Sequence, residues 1–577
     1  MTPDRINKEG RFDSFDNGEI LLNKKKNHLP PMGWNSWNAF GSNNTEALTR
    51  TMVDKIKELE LDKLGYKFIV LDDGCYKPER VNGRLVSDEV KFASGFNAMS
   101  DYVHSHGLKF GMYNDIGDRL CSGAQVGTCG YEDVDAQSYV DWKVDFMKVD
   151  NCYYLWDNAT FSNPENARYT FAPNIKAVKI DGKEYSAVKD GKVTGFIGKV
   201  EKDYVTFLGT FDGTGPDASP LEVRSSELVF EVEAEADKTV SLAVEYATGK
   251  KEGVGEWLEL AVGEDIFFDD FVEPTESEET FVWSKDFEVS LKKGVNVIRV
   301  MNHRRQENTL NSYSRFLREL NKLKPDHDII YSACEWGKTH PQNWAYKVCD
   351  SWRILNDITF RVGNDGDPGV GNWKDDYTPS VTSQYNKAVI MDEFAGLDKG
   401  WNDPDMLMVG MNGLNDTQYR THMATWCMMN SPLFLGLDLR RVEKGDALYQ
   451  IIANKDLIDL NQDALGVQAK RVYSSLAVER PDKEYIRDIN RVDILCKPLS
   501  GGDFALCFVN VSEEDKKGEF SVDVKELSKI FTGIKSAGSY EVKDLWTKEV
   551  TENTTGVFTV KELPACASVT LRITPKN

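Results

Sequence analysis

Two short runs carry residues that could do covalent chemistry. One is Asp145-Phe-Met-Lys-Val-Asp-Asn-Cys152 and the other is Ser351-Trp-Arg-Ile-Leu-Asn-Asp357. Each is an apolar, strand-like run that ends on an aspartate. A strand end is rigid and opens into a loop, so it can hold one carboxylate at a fixed distance from a second. Two carboxylates facing one cleft suit the cleavage of a glycosidic bond: one attacks the sugar carbon and the other protonates the leaving oxygen. Asp150 and Asp357 are therefore the candidate catalytic pair. Either aspartate read singly would more often cap a strand end or pair with a cation, and it is the rest of the chain that favours chemistry.

The elements that must position them alternate along the chain. Strands are predicted at Met32–Trp37, Lys67–Asp73, Leu108–Asp115, Val144–Asp150, Asp328–Trp336, Ser351–Asp357, Asp405–Met411 and Pro432–Leu437. Helical spacing covers Thr45–Leu59, Gly95–His106, Val134–Trp142 and Asn308–Leu323. Eight strands alternating with helices fit an α/β fold, a (β/α)8 TIM barrel, better than an open sheet. Polar and aromatic groups collect at the strand ends, as a barrel's active face requires. The alternation is broken from about Asn166 to Arg305 by short β-rich segments without helical period, which predict an inserted β-sandwich. From about Lys470 the pattern is again all-β and predicts a C-terminal antiparallel β-sandwich. The expected domains are residues 1–165 with 306–468 for the barrel, 166–305 for the insert and 469–577 for the C-terminal domain.

Composition narrows the class. The chain has 577 residues and a net charge of −23, so it should hold several domains. The acidic balance argues against nucleic-acid partners and against anionic membrane surfaces. Met1–Pro31 holds Lys24-Lys25-Lys26 but no apolar run of signal-peptide length, and no segment is long and apolar enough to span a bilayer. A cytoplasmic location is the resulting expectation. Ten cysteines are scattered without a CxxC pair, and seven histidines show no HExxH pattern. No metal site and no cofactor are expected. The sequence leaves a homo-oligomer open.

Eight motifs in order resemble glycoside hydrolase family 27, the family of α-galactosidases and α-N-acetylgalactosaminidases. They are Pro31-Met-Gly-Trp-Asn-Ser-Trp37, Leu71-Asp-Asp73, Gly111-Met-Tyr-Asn-Asp-Ile-Gly117, Asp135-Ala-Gln137, Lys148-Val-Asp-Asn-Cys152, Cys334-Glu-Trp-Gly337, Trp352-Arg353 to Asp357, and Gly400-Trp-Asn-Asp-Pro-Asp-Met406. The resemblance covers Leu29–Tyr169 and Phe316–Pro575 and omits the insert, which itself loosely resembles a jelly-roll carbohydrate-binding module.

The resemblance implies a retaining exo-α-galactosidase acting on an α-galactoside oligosaccharide or glycoconjugate. Asp150 would be the nucleophile and Asp357 the acid/base, with carboxylates about 5–5.5 Å apart as in retaining enzymes generally. Lys148, on the same strand face as Asp150, would hold that carboxylate ionised. Arg353 would donate to the sugar and to Asp357. Asp72 and Asp73 would accept from the 4- and 6-hydroxyls, and Trp34 would stack on the sugar's apolar face. Tyr113, Trp336 and Met406 would line the pocket. Glu335 would suit a free 2-hydroxyl and so favour galactoside over N-acetylgalactosaminide. Cys121 with Cys152 and Cys334 with Cys349 match family disulfides, whereas Cys75 has no cysteine near Gly41 to pair with. Asp403 and Asp405 read as scaffold. The alternatives are an α-N-acetylgalactosaminidase or β-L-arabinopyranosidase of the same family, or a carbohydrate-binding protein without catalysis.

Overall fold

In a computed structural model of the chain, residues 20–22, 28–153, 171–195, 198–211, 224–248, 256–302, 305–376 and 379–576 are described. The expected domain boundary at 165–166, the lysine run at 24–26 and the extreme N-terminus lie outside them.

Eight parallel strands follow one another around a single sheet: β1 (Met32–Asn35), β2 (Phe68–Val70), β3 (Lys109–Asp115), β4 (Phe146–Asp150), β5 (Ile330–Cys334), β6 (Ser351–Arg353), β7 (Trp401–Asp403) and β8 (Leu433–Leu435). β8 pairs with β1, with Gly33 opposite Phe434. The last gap closes just beyond β7, where Leu407 bridges Leu435 and its amide donates to the Phe434 carbonyl at 2.8 Å. The sheet is therefore a closed barrel, and its strands are buried on both faces, as parallel strands between a packed interior and a helical layer must be.

Side chains alternate between these two faces. Phe68, Val70, Phe146, Ile330, Met406 and Phe434 fill the interior, with Trp37 packed against them. Tyr331, Ala333, Met147, Val149 and Trp352 point outward into the main core under the helices. Those helices include α1 (Ser36–Phe40), α2 (Glu46–Glu58), α3 (Gly95–Ser105), α4 (Glu132–Asp141), α5 (Arg305–Leu323), α6 (Val381–Ala388) and α7 (Asp416–Met428). Thr45 caps α2 by accepting from the Leu48 amide, and Asn415 with Gln418 forms a capping box at α7.

The seventh strand is displaced from its expected place. It lies at Trp401–Asp403, and Asp405–Met411 is a loop with one bridge. Pro404 has no N–H to give a ladder, and Asp405 sits in the left-handed region at φ 75°, so the strand cannot run through them.

Between β4 and α5 the described residues form two antiparallel sheets. One contains Arg224–Ala234, Glu256–Val262, Asp265–Val272 and Gly294–Met301. The other contains Asn174–Ile180, Lys238–Ala247 and Phe287–Leu291. They enclose a separate core that includes Ile175, Val178, Leu228, Phe230, Leu242, Leu258 and Ile298. This is a β-sandwich, and Phe271 from its edge packs against the barrel's core.

The C-terminal strands from Lys470 to Lys576 form a six-stranded and a two-stranded antiparallel sheet over their own core. One face of this domain merges with the barrel: Leu495, Ala505, Cys507 and Val509 belong to the barrel's main cluster. Trp373 donates to the Val511 carbonyl at 3.0 Å, and Tyr385 on α6 donates to Asp493 at 3.0 Å.

Candidate active site

Strand alternation builds the site. On β4, Phe146 fills the barrel interior and period two sends Lys148 and Asp150 the same way. In register beside them are Tyr113 on β3, opposite Lys148, and Cys334 on β5, opposite Asp150. On β6, Arg353 faces inward while Trp352 joins the outer core. Lys148, Arg353, Asp403, Asp405, Met406, Cys334 and Asn35 line a small cavity of about 30 Å³ at the strands' C-terminal ends.

Two buried cations organise the carboxylates. Lys148 Nζ donates to Asp72 Oδ2 at 2.8 Å. Burial opposes its charge, but Asp72 first, with Asp150 and Asp357, outweighs burial and holds its pKa well above the ordinary value. Arg353 Nη2 lies 3.0 Å from both Asp357 Oδ1 and Asp405 Oδ2. Its charge is likewise opposed by burial and secured by Asp405, Asp357 and Asp403. Asp150 accepts from the Tyr113 hydroxyl at 3.1 Å and from the Asn151 amide at 2.8 Å. Asp405 also accepts from the Ile358 amide at 2.7 Å and so pins the loop that carries Asp357.

Asp72 and Asp73 lie just past the end of β2, and their carboxylates diverge. Asp72 accepts from Lys148 and from Asn35 Nδ2 at 2.8 Å. Asp73 accepts from the Ser122 amide and hydroxyl at 2.7 and 2.9 Å. Next to Ser122, Cys121 is disulfide-bonded to Cys152, with Cα atoms 5.3 Å apart, and Cys121 Sγ lies 3.6 Å from Asp150 Oδ2. Met406 borders the cleft, and Trp336 lines a second cavity beside Asp357.

Three expectations are corrected. Trp34 cannot stack on a ligand: it is 0% exposed, sits in the outer core and donates to the Leu437 carbonyl. Glu335 does not reach the cleft either. It is fully buried, and its Oε2 accepts from the Thr339 amide at 3.0 Å and hydroxyl at 2.6 Å. Cys334 and Cys349 are free and buried. Cys334 faces the barrel interior beside Arg353, whereas Cys349 packs in the outer layer with Tyr331. Alternation along β1 and β5 turns Trp34 outward and Cys334 inward, while Glu335 and Cys349 lie just after β5 and just before β6.

Sequence reasoning also missed residues that the structure brings to the site. Trp37 is half-buried against Met406, Phe146 and Phe434, where a ring can face a sugar. Asn35 holds Asp72. Lys338, fully buried, donates to the carbonyl of Asn151, next to Asp150, and lies 4.3 Å over the Trp336 ring. Asn35 shares the inward parity of Gly33, where any Cβ would meet the Phe68 carbonyl of β2.

Burial pushes Asp150 up to about 6; Lys148 counteracts this and the charge of Asp357 adds to it. Asp357 is also raised, by burial first, with Arg353 opposing and Asp405 adding. A buried pair of this kind loses its two protons in separate steps. Asp150 has two hydrogen-bond donors and stands near Lys148 and Lys338. Asp357 has Arg353, shared with Asp405. Between the two steps Asp150 is therefore the ionised member and Asp357 the protonated one, which is the division a nucleophile and an acid require.

A parallel barrel with two carboxylates of unlike protonation at its strand ends is the architecture of a glycosidase. The family profile described as "Alpha galactosidase A" matches residues 29–172 and 283–463, and "Alpha galactosidase C-terminal beta sandwich domain" matches 490–573. The chain belongs to this family of glycoside hydrolases, family 27. Much of the inserted sandwich falls in the gap between the matched segments. Among relatives, the alpha-galactosidase of Cyamopsis tetragonoloba is 26% identical over 518 residues, covering 90% of this chain and 79% of that protein. Alpha-galactosidase A of Cellvibrio japonicus is 25% identical over 559 residues, covering 95% and 92%. The fold is shared with a Saccharomyces cerevisiae alpha-galactosidase solved with raffinose, at a TM-score of 0.60, 19% identity and coverage of 95% and 98%.

Two predictions follow from parity and protonation. Trp37→Ala should raise KM about tenfold and leave the melting temperature nearly unchanged, whereas Trp34→Ala should cost about 3–5 kcal/mol of stability; thermal melts with steady-state kinetics check both. Asp357, the acid, is held above the ordinary carboxylate range by burial, so kcat/KM should fall as pH rises through its pKa. On an activated aryl glycoside, which needs little protonation, Asp357→Asn should lack this alkaline limb. A limb that persists in the variant contradicts the assignment.

Proposed function

We propose that the protein hydrolyses terminal α-D-galactosides with retention, by double displacement. The observation that carries this reading is the placement of Asp150 at the end of β4 and of Asp357 on the loop after β6, with the buried cations Lys148 and Arg353 beside them. Ionised Asp150 attacks C1 while Asp357 gives its proton to the leaving oxygen, forming a glycosyl ester. Loss of the Asp150 charge then lowers the affinity of Asp357 for its proton. Asp357 takes a proton from water, which attacks C1 from the side the leaving group vacated and releases Asp150.

The remaining groups bind and orient. Lys148 and Arg353 donate to sugar hydroxyls and keep the carboxylates in place. Asp72 and Asp73 accept from hydroxyls at the far end of the ring, Trp37 covers its apolar face, and Tyr113 and Met406 line the pocket. A site built to pair hydroxyls rejects a sugar that misplaces them. The relatives' activity supports galactose as that sugar, as does raffinose, the ligand of the yeast structure. With Glu335 turned away from the cleft, its argument against an N-acetylgalactosaminide no longer applies, so that substrate belongs in the test.

The test is hydrolysis of p-nitrophenyl α-D-galactopyranoside beside the α-N-acetylgalactosaminide and the β-L-arabinopyranoside. The galactoside should be turned over fastest, the first-formed product should be the α-anomer by NMR, and Asp150→Asn should lose at least about a thousandfold in kcat. Faster turnover of either other glycoside overturns the substrate assignment. Unchanged activity of Asp150→Asn overturns the mechanism.

A further inference from the structure

Asp73 is held by one residue of another loop. The Ser122 amide donates to its Oδ2 at 2.7 Å, and the Ser122 hydroxyl donates to its Oδ1 at 2.9 Å. Asp72 differs, since Lys148 and Asn35 hold it from inside the barrel. Burial pushes the pKa of Asp73 up, and the two Ser122 donors are the first to oppose it. Where Ser122 sits therefore decides where Asp73 can accept a hydroxyl.

Ser122 lies between β3 and α4, in a stretch that forms neither strand nor helix. Backbone acceptors fasten part of it. The Thr128 amide and hydroxyl donate to the Asp115 carbonyl, both at 2.9 Å, and the Gln125 amide donates to the Pro78 carbonyl at 2.7 Å. The charged tie is a side chain. Arg80, on the loop after β2, donates to both oxygens of Asp135 at 2.6 and 2.7 Å. Its Nη2 also donates to the carbonyls of Val126 at 3.1 Å and Gly127 at 2.8 Å. Its guanidinium lies 3.9 Å over the Tyr131 ring. One side chain thus joins the loop after β2, the loop after β3 and the first turn of α4.

The ion pair is buried, with the Arg80 side chain 7% exposed and that of Asp135 0%. A buried ion pair adds little stability over an apolar pair of the same volume. What an arginine fork adds is geometry, because its planar donors meet several acceptors at fixed angles. The carbonyls it meets here are four and five residues after Ser122. Neither Arg80 nor Asp135 lines the cleft, so any effect on the substrate passes through the loop. We propose that Arg80 is a positioning residue for sugar recognition: its fork fixes the loop so that Ser122 holds Asp73 ready for a substrate hydroxyl. The inference rests on the galactosidase reading, in which Asp73 accepts a hydroxyl at the far end of the ring.

The test uses Arg80→Lys, which keeps a charge beside Asp135 and loses the fork. Three p-nitrophenyl α-glycosides are compared: the galactoside, its 4-deoxy analogue and its 6-deoxy analogue. On the galactoside, Arg80→Lys should lower kcat/KM about tenfold, chiefly by raising KM. On the analogue that lacks the hydroxyl paired with Asp73, the loss should be less than about twofold. Ser122→Ala should show the same pattern. The two changes combined should lose no more than the larger single loss, as residues acting through one contact do. Equal losses on all three glycosides, no loss, or losses that multiply in the combined variant overturn the proposal. Should Arg80→Lys misfold, the double variant Arg80→Gln, Asp135→Asn, which leaves no unpaired charge buried, takes its place.

Hydrogen exchange read by mass spectrometry needs no turnover. Peptides covering residues 118–131 should exchange faster in the variant, while those of β3 and β4 keep wild-type rates. Unchanged exchange in 118–131 overturns the proposal. If the wild type cleaves no galactoside, the galactosidase reading has failed, and exchange in the peptide containing Ser122 then decides the positioning role by itself.

Discussion

The structure depends on keeping a cluster of carboxylates buried at one end of the barrel. Asp72, Asp73, Asp115, Asp150 and Asp405 are each no more than 4% exposed, and Asp357 and Asp403 sit among them. Carboxylates taken out of water are costly unless cations and hydrogen-bond donors face them. Lys148 and Arg353 meet that need, with Lys338 behind them. Each cation must therefore lie on the inward face of its strand, and this fixes the phase of β4 and β6. It also fixes which neighbouring residues turn outward. The catalytic division of labour follows from the same constraint, because Asp150 has the richer set of donors and Asp357 shares its one cation.

The C-terminal domain takes part in this arrangement. Its Arg491 donates to Asn386 on α6 at 2.6 Å, and its Asp493 accepts from Tyr385 on the same helix. Gln384 of α6 in turn donates to the carbonyl of Asn356 at 2.5 Å, one residue before Asp357. A shared apolar core and this polar chain connect the sandwich to the acid/base loop. The inserted sandwich differs: its core is its own, and among the described residues Phe271 is the hydrophobic side chain that joins it to the barrel core.

Much of this was legible in the sequence because period and punctuation carry it. The barrel strands, the β-rich interruption and the all-β C-terminus each differ in pattern, and the motif residues of β4 and β6 stand at strand ends. Parity was not legible. Trp34 and Asn35 are neighbours in a strand buried on both faces, so hydrophobicity does not say which one looks inward. The expected role of Trp34 fails for that reason; Glu335 and Cys349 lie beyond the ends of β5 and β6, where strand alternation does not set a side chain's direction. The seventh strand failed differently: its apolar run at Leu407–Met411 looks like a strand, but Pro404 and the left-handed Asp405 had already ended the ladder.

The central claim is that Asp150 forms the covalent bond while Asp357 manages the proton. The most direct measurement is mass spectrometry of Asp357→Asn quenched during turnover of an activated aryl α-galactoside. Without the base that activates water, the glycosyl ester should accumulate, and the peptide containing Asp150 should carry one hexosyl unit. An adduct on another carboxylate, or turnover by this variant at the wild-type rate with no adduct, would contradict the account.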